Sequence, residues 1–550
     1  MNASLGGNDA LVVAPILLPL GTAALMLLLG DGRRRLKALL NIGSAGLGLA
    51  LAIALLWRID AGGAPASFAV YLTGNWPVPY GIALVADRLS ALMAVLAGTV
   101  GLAALLYALA RWQHAGMYFH MLLQLQLMGL YGAFLTADLF NLFVFFEVLL
   151  AASYGLLLHG GGAERVRAGL HYIAINLVAS LLFLIGVAVL YGVTGTLNMA
   201  DIAQKLPQVP ASDRGLLHAG AAILAMAFLA KAAVWPLGFW LPAAYAAASA
   251  PAAALFAILT KVGIYALLRL WTLCFPADAG ASGGFGGMAL VLGGIATLGF
   301  GAIGMMASQR LARLVAFSVI ASSGTLLAAF GLGKPDLAAA ALFYLASSTL
   351  AGCALFLLVE LLERSRQVEF GPPQFDDGND ALPAFFDAQP TASANLDDDE
   401  ELLVGRVIPG ALAFLGVSFT LCAMVVAGLP PLAGFIGKLA MLQALLDIGS
   451  GSAWTLFALL IVSGLLAAIA FMRVGMRHFW TGAESNALRL RVVESLPVGV
   501  LVLALLLLVL QGNAVLRYTQ ATADTLHQPQ QYIDAVMGTR PWSGAARGTP

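Results

Sequence analysis

Residues 139–154 read Leu139-Phe-Asn-Leu-Phe-Val-Phe-Phe-Glu147-Val-Leu-Leu-Ala-Ala-Ser-Tyr154, an apolar run with one carboxylate at its centre. A helix that crosses the hydrocarbon core needs roughly 20 mostly apolar residues, and this run lies inside such a segment, 139–158. A charged side chain in the middle of it costs about 2.5–3.5 kcal/mol on insertion scales, so it is there for a reason. The rest of the chain is of the same kind. Of its 550 residues, 61% are hydrophobic and 10% charged, where soluble domains carry about 25% charged residues. A chain this long and this apolar has to face lipid. Its formal net charge is zero, which gives no electrostatic case for a nucleic-acid partner.

About fourteen apolar segments follow one another along the chain. The first seven fall near 10–29, 37–57, 88–110, 117–136, 139–158, 166–192 and 216–246. The others fall near 250–272, 286–306, 311–331, 336–362, 406–447, 453–478 and 495–517. The fold class expected is therefore all-α integral membrane, a polytopic domain over 1–517 followed by a polar C-terminal tail, 518–550. No basic residue precedes the run Leu11 to Leu29, and Arg33-Arg34-Arg35-Leu36-Lys37 follows it, so the first helix is expected to be retained with its N-terminus outside. Basic residues recur in alternate loops, at Arg111, Arg165, Arg167, Arg310, Arg313, Arg364, Arg366, Arg406, Arg473, Arg477, Arg489 and Arg491. That side is read as cytoplasmic, and an even number of spans puts both termini outside. Residues 364–405 hold the run Asp397-Asp398-Asp399-Glu400-Glu401 among prolines and read as a solvated acidic cytoplasmic loop.

Four charged residues stand out inside apolar segments: Glu147, Lys231, Lys261 and Lys438. Their cost falls if they pair or face water inside the bundle. Snorkelling at a helix end is a competing reading for Lys261 and Lys438, and a structural salt bridge competes for all four. A relay of titratable groups explains the residue types best. Burial disfavours a charged ammonium and a nearby carboxylate restores it, so a Glu–Lys pair has two states that exchange a proton. Arginine could not do this, because it stays protonated.

Two segments are longer than one span and carry prolines: Lys231-Ala-Ala-Val-Trp-Pro236-Leu-Gly-Phe-Trp-Leu-Pro242 and Gly428-Leu-Pro430-Pro431-Leu-Ala-Gly-Phe435-Ile-Gly-Lys438. Proline removes a helix donor, and in lipid the freed carbonyls must be satisfied by protein or water. Breaks at Pro236 and at Pro430 and Pro431, each with a lysine close by, point to a wet pocket at the interface of two repeats. The three cysteines, Cys274, Cys353 and Cys422, form no ligand spacing, and His120, His159, His171 and His218 lie near span ends and read as interfacial. No metal, no cofactor and no nucleotide-driven pump is expected; the chain carries no phosphate loop.

Several of these runs resemble one family. They are Trp240-Leu-Pro-Ala-Ala-Tyr245, Ala250-Pro251, Leu259-Thr-Lys-Val-Gly-Ile-Tyr-Ala-Leu267, Asp138-Leu-Phe-Asn-Leu-Phe-Val-Phe-Phe-Glu147 and Gly428-Leu-Pro-Pro-Leu-Ala-Gly-Phe435. The family is that of antiporter-like proteins: the A and D components of Mrp (Pha) antiporters, and the proton-pumping membrane subunits of respiratory complex I and membrane-bound hydrogenases. Lys438 and the short stretch after Arg517 make the D type the best match. The resemblance implies fourteen helices, inverted repeats over spans 4–8 and 9–13 (residues 117–272 and 286–478), and broken spans 7 and 12. It implies a Glu147–Lys231 switch, passage through Lys261 and exit at Lys438. It also implies a transporter subunit rather than an enzyme, in a multisubunit complex of a bacterial inner membrane, with protons and Na+ or K+ as cargo. The alternative is a pump subunit of a complex I-like oxidoreductase or membrane-bound hydrogenase. One departure stands out. Relatives often carry histidines or a lysine in spans 10 and 11, where this chain has Ser322, Ser323, Ser347, Ser348 and Thr349. These hydroxyls either support a water wire or let helices pack closely. Asp138 either lines an access path or starts a helix.

Overall fold

In lipid a spanning segment satisfies its backbone only by closing its own hydrogen bonds, so each apolar run folds as a helix. The computed structural model describes residues 9–30, 33–62, 67–116, 118–370, 409–479 and 491–542. The acidic loop beyond residue 370, with Arg406 and Arg489, and the last residues of the tail lie outside these. Among the described residues thirteen helices are long and apolar enough to cross a membrane, one fewer than expected. The segment expected over 117–136 folds as Phe119–Leu135, a helix of 17 residues. Its length, about 26 Å at 1.5 Å per residue, falls short of a hydrocarbon core of roughly 30 Å. The described residues include one pair of short strands, Ala69–Leu72 and Ala83–Ala86, which form an antiparallel hairpin.

The helices form an inner group and an outer ring. Leu259–Cys274, Leu311–Gly331, Arg88–Ala108 and the membrane part of Pro335–Phe370 are almost wholly buried, whereas Ala10–Leu28, Arg34–Ala61, Gly451–Phe479 and Val492–Leu510 bury about one face. Gly294 shows how closely neighbours approach. An added Cβ there would lie 2.3 Å from the backbone nitrogen of Ala328, so the Gly287–Ala307 and Leu311–Gly331 helices touch along their backbones.

Two long segments are broken as their prolines require. Ala211–Lys231 ends at the lysine, and a short helix, Leu241–Ala247, follows after an irregular stretch. Pro409–Ala427 and Ala433–Ile448 flank the second break. A third interruption carries no proline and departs from the continuous helix expected over 250–272. Ala250–Phe256 stops and Leu259–Cys274 starts two residues later. The Tyr245 hydroxyl donates to the Phe256 carbonyl at 2.9 Å, satisfying an oxygen at the end of the first piece.

Arg269 is a fifth charge inside a span, eight residues beyond Lys261, and nothing in its immediate sequence marks its partner. It pairs with Asp87 at 2.6 Å, both buried. Asp87 also caps the Arg88–Ala108 helix in a capping box with Ser90. Burial alone would raise the Asp87 carboxyl, but the Arg269 guanidinium and the hydrogen bonds from Arg269 and Ser90 outweigh it and hold the group below its ordinary value. The tail closes this pair off. Gly512–Leu526 and Pro529–Met537 are helices packed back onto the bundle, and the Tyr532 ring lies 5.1 Å from the Arg269 guanidinium. Arg269→Met strands a buried carboxylate and is expected to lower stability by about 3–5 kcal/mol. Thermal unfolding of the assembled complex checks this, and adding Asp87→Asn, which keeps the cap, is expected to recover most of the loss.

Candidate functional site

Glu147 sits mid-way along Leu139–Leu157, and the helix packs against Ala163–Thr194, which brings Ser180 to it. The Ser180 hydroxyl donates to Glu147 Oε1. Lys231 Nζ reaches the same hydroxyl at 3.4 Å from the other side. Glu147 and Lys231 are therefore joined through one serine and make no direct ion pair. The ammonium also lies 5.0 Å from the centre of the Phe146 ring, next to the carboxylate in sequence. Ser180 was not legible as a site residue; its only signal is Asn176, one turn earlier on the same buried stripe.

Lys261 is 1% exposed and has no carboxylate in ion-pair reach among the described residues. Its Nζ donates to Ser322 at 2.9 Å and approaches Ser323 at 3.5 Å. Ser322 in turn meets Ser348 at 3.0 Å across two helices. Three of the hydroxyls noted in spans 10 and 11 thus gather at one lysine. Ser347 and Thr349 instead bond the carbonyls of Tyr344 and Leu345 on their own helix. A small cavity is lined by Lys261, Ser318, Ser322, Tyr344, Ser348 and Val426.

Val426 belongs to the second break. Lys438 Nζ donates to the carbonyls of Val426 at 3.0 Å and Ala427 at 2.9 Å, the last of the Pro409–Ala427 helix. A cation on the freed carbonyls of a helix C-terminus satisfies both the orphan acceptors and the dipole. Gly428, at φ +79°, lets the chain turn there, and an added Cβ would lie 2.5 Å from Lys438 Cδ. The first break is closed differently: the Trp240 indole donates to Ala230 at 3.3 Å. Both breaks place a left-handed residue, Ala233 or Gly428, three positions before a proline, Pro236 or Pro431. The bonds Trp235–Pro236 and Pro430–Pro431 are cis.

Asp138 caps the Leu139–Leu157 helix, its carboxylate accepting from the Asn141 backbone at 2.8 Å. His120, at the start of Phe119–Leu135, is buried and bonded to Asn41 at 2.8 Å in a polar ladder that continues through Gln124 and Ser44 to Thr22. Among the described residues no group of three or more His, Cys, Asp or Glu is placed to hold a metal.

The family described as "NADH:quinone oxidoreductase/Mrp antiporter, TM" matches residues 136–380, which contain Glu147, Lys231 and Lys261. The D subunit of a probable K(+)/H(+) antiporter of Rhizobium meliloti is 51% identical over 96% of this chain and 98% of its own length. The D subunit of a Na(+)/H(+) antiporter of Alkalihalophilus pseudofirmus is 32% identical over 96% and 99%. A chain in the structure of the Mrp complex from Dietzia sp. is similar with a TM-score of 0.80 at 27% identity, covering 96% of this chain and 99% of that one. Nearly full-length similarity of this degree makes the chain a transporter subunit rather than an enzyme, and it belongs to the Mrp antiporter D-subunit family, within the larger family shared with the membrane subunits of complex I.

Proposed function

We propose that this chain carries protons across a bacterial inner membrane in exchange for K+, through Glu147, Lys231, Lys261 and Lys438 in that order. The observation that carries this reading is the chain Glu147–Ser180–Lys231, in which one hydroxyl touches both a carboxylate and an ammonium. A small rotation of either side chain makes or breaks the pair, which is what a switch between two protonation states needs. The stretch between Lys261 and Lys438, where hydroxyls stand in spans 10 and 11, is supported by the cavity shared by Lys261 and Val426, whose carbonyl holds Lys438. Ser322 and Ser348 line it and can order water along it. The left-handed residue three positions before a proline at each break, Ala233 and Gly428, supports inverted repeats over 117–272 and 286–478.

The alternating basic loops support an orientation with both termini outside. Assembly with further antiporter subunits is supported by the outer face of Leu139–Leu157. Phe140 (48% exposed) and Val144 (41%) line that face, and Glu147 itself is only half-buried on it. A carboxylate at mid-membrane does not face lipid, so a partner covers this face. K+ is preferred because the relative at 51% identity is named for it.

The test is proton movement in everted vesicles from cells without their own antiporters, expressing the chain with its partner subunits. A dye reports the pH gradient, and KCl or NaCl is added with no quinone reductant. Collapse of the gradient by KCl is expected. If neither salt acts while the complex is in the membrane, the antiport reading fails and a redox-driven pump replaces it.

A further inference from the structure

On the basic face of the bundle a large cleft opens between the loop at Gly160, Gly161 and Gly162, the stretch 245–250, and Glu360 with Arg364 of the long helix Pro335–Phe370. A second, small chamber is lined by Lys231, Asn176, Leu150, Tyr172 and Leu259. One residue lines both spaces: Tyr245. It is 1% exposed, and its ring is wedged between Trp240, Phe256 and Phe356 at centroid distances of 6.1, 5.4 and 6.0 Å. Its hydroxyl holds the Phe256 carbonyl, at the interruption that precedes Lys261 by one turn.

Two hydroxyls in the neighbouring stretches lack protein partners among the described residues: Ser249 on the cleft side and Thr260 beside Lys261, both buried. Buried hydroxyls of this kind are normally satisfied by water. Arg165 fixes the segment that carries Tyr245, donating to the Ala247 carbonyl at 2.9 Å while stacking 5.1 Å from the Trp112 ring. The ring therefore sits on a short helix, Leu241–Ala247, that is anchored to the bundle on its cleft side and runs from the first break on the other.

We propose that Tyr245 is the barrier between the cleft and the Lys231 chamber, a positioning residue that admits water and protons to Lys231 from the basic face when the break moves. Its place in transport rests on the relay proposed above; the barrier itself does not, and it can be read without any transport.

The assembled complex is prepared with Cys274, Cys353 and Cys422 replaced by serine, and with one cysteine placed at either Ala248, in the cleft, or Leu150, in the chamber. A trimethylammonium methanethiosulfonate is applied to everted and to right-side-out vesicles, and its reaction with this chain is followed by mass. With Tyr245 in place, Ala248→Cys is expected to react at least about tenfold faster than Leu150→Cys, and from the basic face only; a tenfold ratio corresponds to about 1.4 kcal/mol. Tyr245→Ala is expected to bring Leu150→Cys to within a few-fold of Ala248→Cys, whereas Tyr245→Phe, which keeps the ring, leaves it slow. Equal reaction at the two positions with Tyr245 present overturns the proposal, even if Tyr245→Ala fails to assemble. So does an Ala variant that assembles and leaves Leu150→Cys slow, or that speeds it equally from both faces.

Discussion

Glu147→Gln is expected to reduce salt-dependent proton movement to background while the complex still assembles, a loss of at least about tenfold, or 1.4 kcal/mol in rate terms. The substitution is chosen for what it keeps. An amide oxygen still accepts from Ser180, so the contact that packs Leu139–Leu157 against Ala163–Thr194 survives. What disappears is the negative charge that favours an ammonium at Lys231, and with it the difference between the two states of the pair. A glutamate that served only packing would tolerate this change. The measurement is the dye response of everted vesicles, normalised to the amount of assembled complex. Wild-type exchange in an assembled Glu147→Gln complex would remove that carboxylate from the mechanism.

Lys261→Met and Lys261→Arg are both expected to abolish exchange, and the comparison is more telling than either alone. Methionine fills a similar volume without a charge. Arginine keeps the charge and the reach to Ser322 but does not release its proton in a protein. A lysine needed only as a fixed cation would be rescued by arginine, so wild-type rates in Lys261→Arg would exclude proton passage there. Stability gives a second check. Lys261 is buried with no carboxylate in ion-pair reach among the described residues, so removing its charge relieves desolvation and breaks no ion pair. The Lys261→Met complex is expected to unfold at the same temperature or higher, the opposite of Arg269→Met, where a buried carboxylate is left behind.

These two positions show how much of the site could be read directly. Glu147, Lys231, Lys261 and Lys438 are conspicuous because a charge in an apolar run has a known cost, whatever surrounds it. The breaks at Pro236 and Pro431 are equally local, since proline acts on the turn that contains it. The interruption after Phe256 was not visible, because it carries no proline and its carbonyl is satisfied by Tyr245, on a separate helix. Ser180 was not visible either: serine is ordinary in membrane helices, and only the approach of two spans makes it the link between Glu147 and Lys231. The Asp87–Arg269 pair closes over 182 residues of chain, and no spacing rule reaches that far.

The sequence by itself therefore determined that the chain is a membrane protein of many helices, where its proline-bearing helices break, and that Glu147, Lys231, Lys261 and Lys438 are anomalous inside them. All of these follow from the energy of one segment in lipid, which depends on its own residues. Only the tertiary structure decided which helices are inner and which outer, since runs of similar hydropathy serve in both places. It also decided that Lys261 meets Ser322 and Ser323, with Ser348 behind Ser322, and that Lys438 is held by helix-end carbonyls rather than by an acid. The physical reason is that lipid rewards any apolar face equally, so the choice among faces falls to close packing and to the polar partners that buried charges find there.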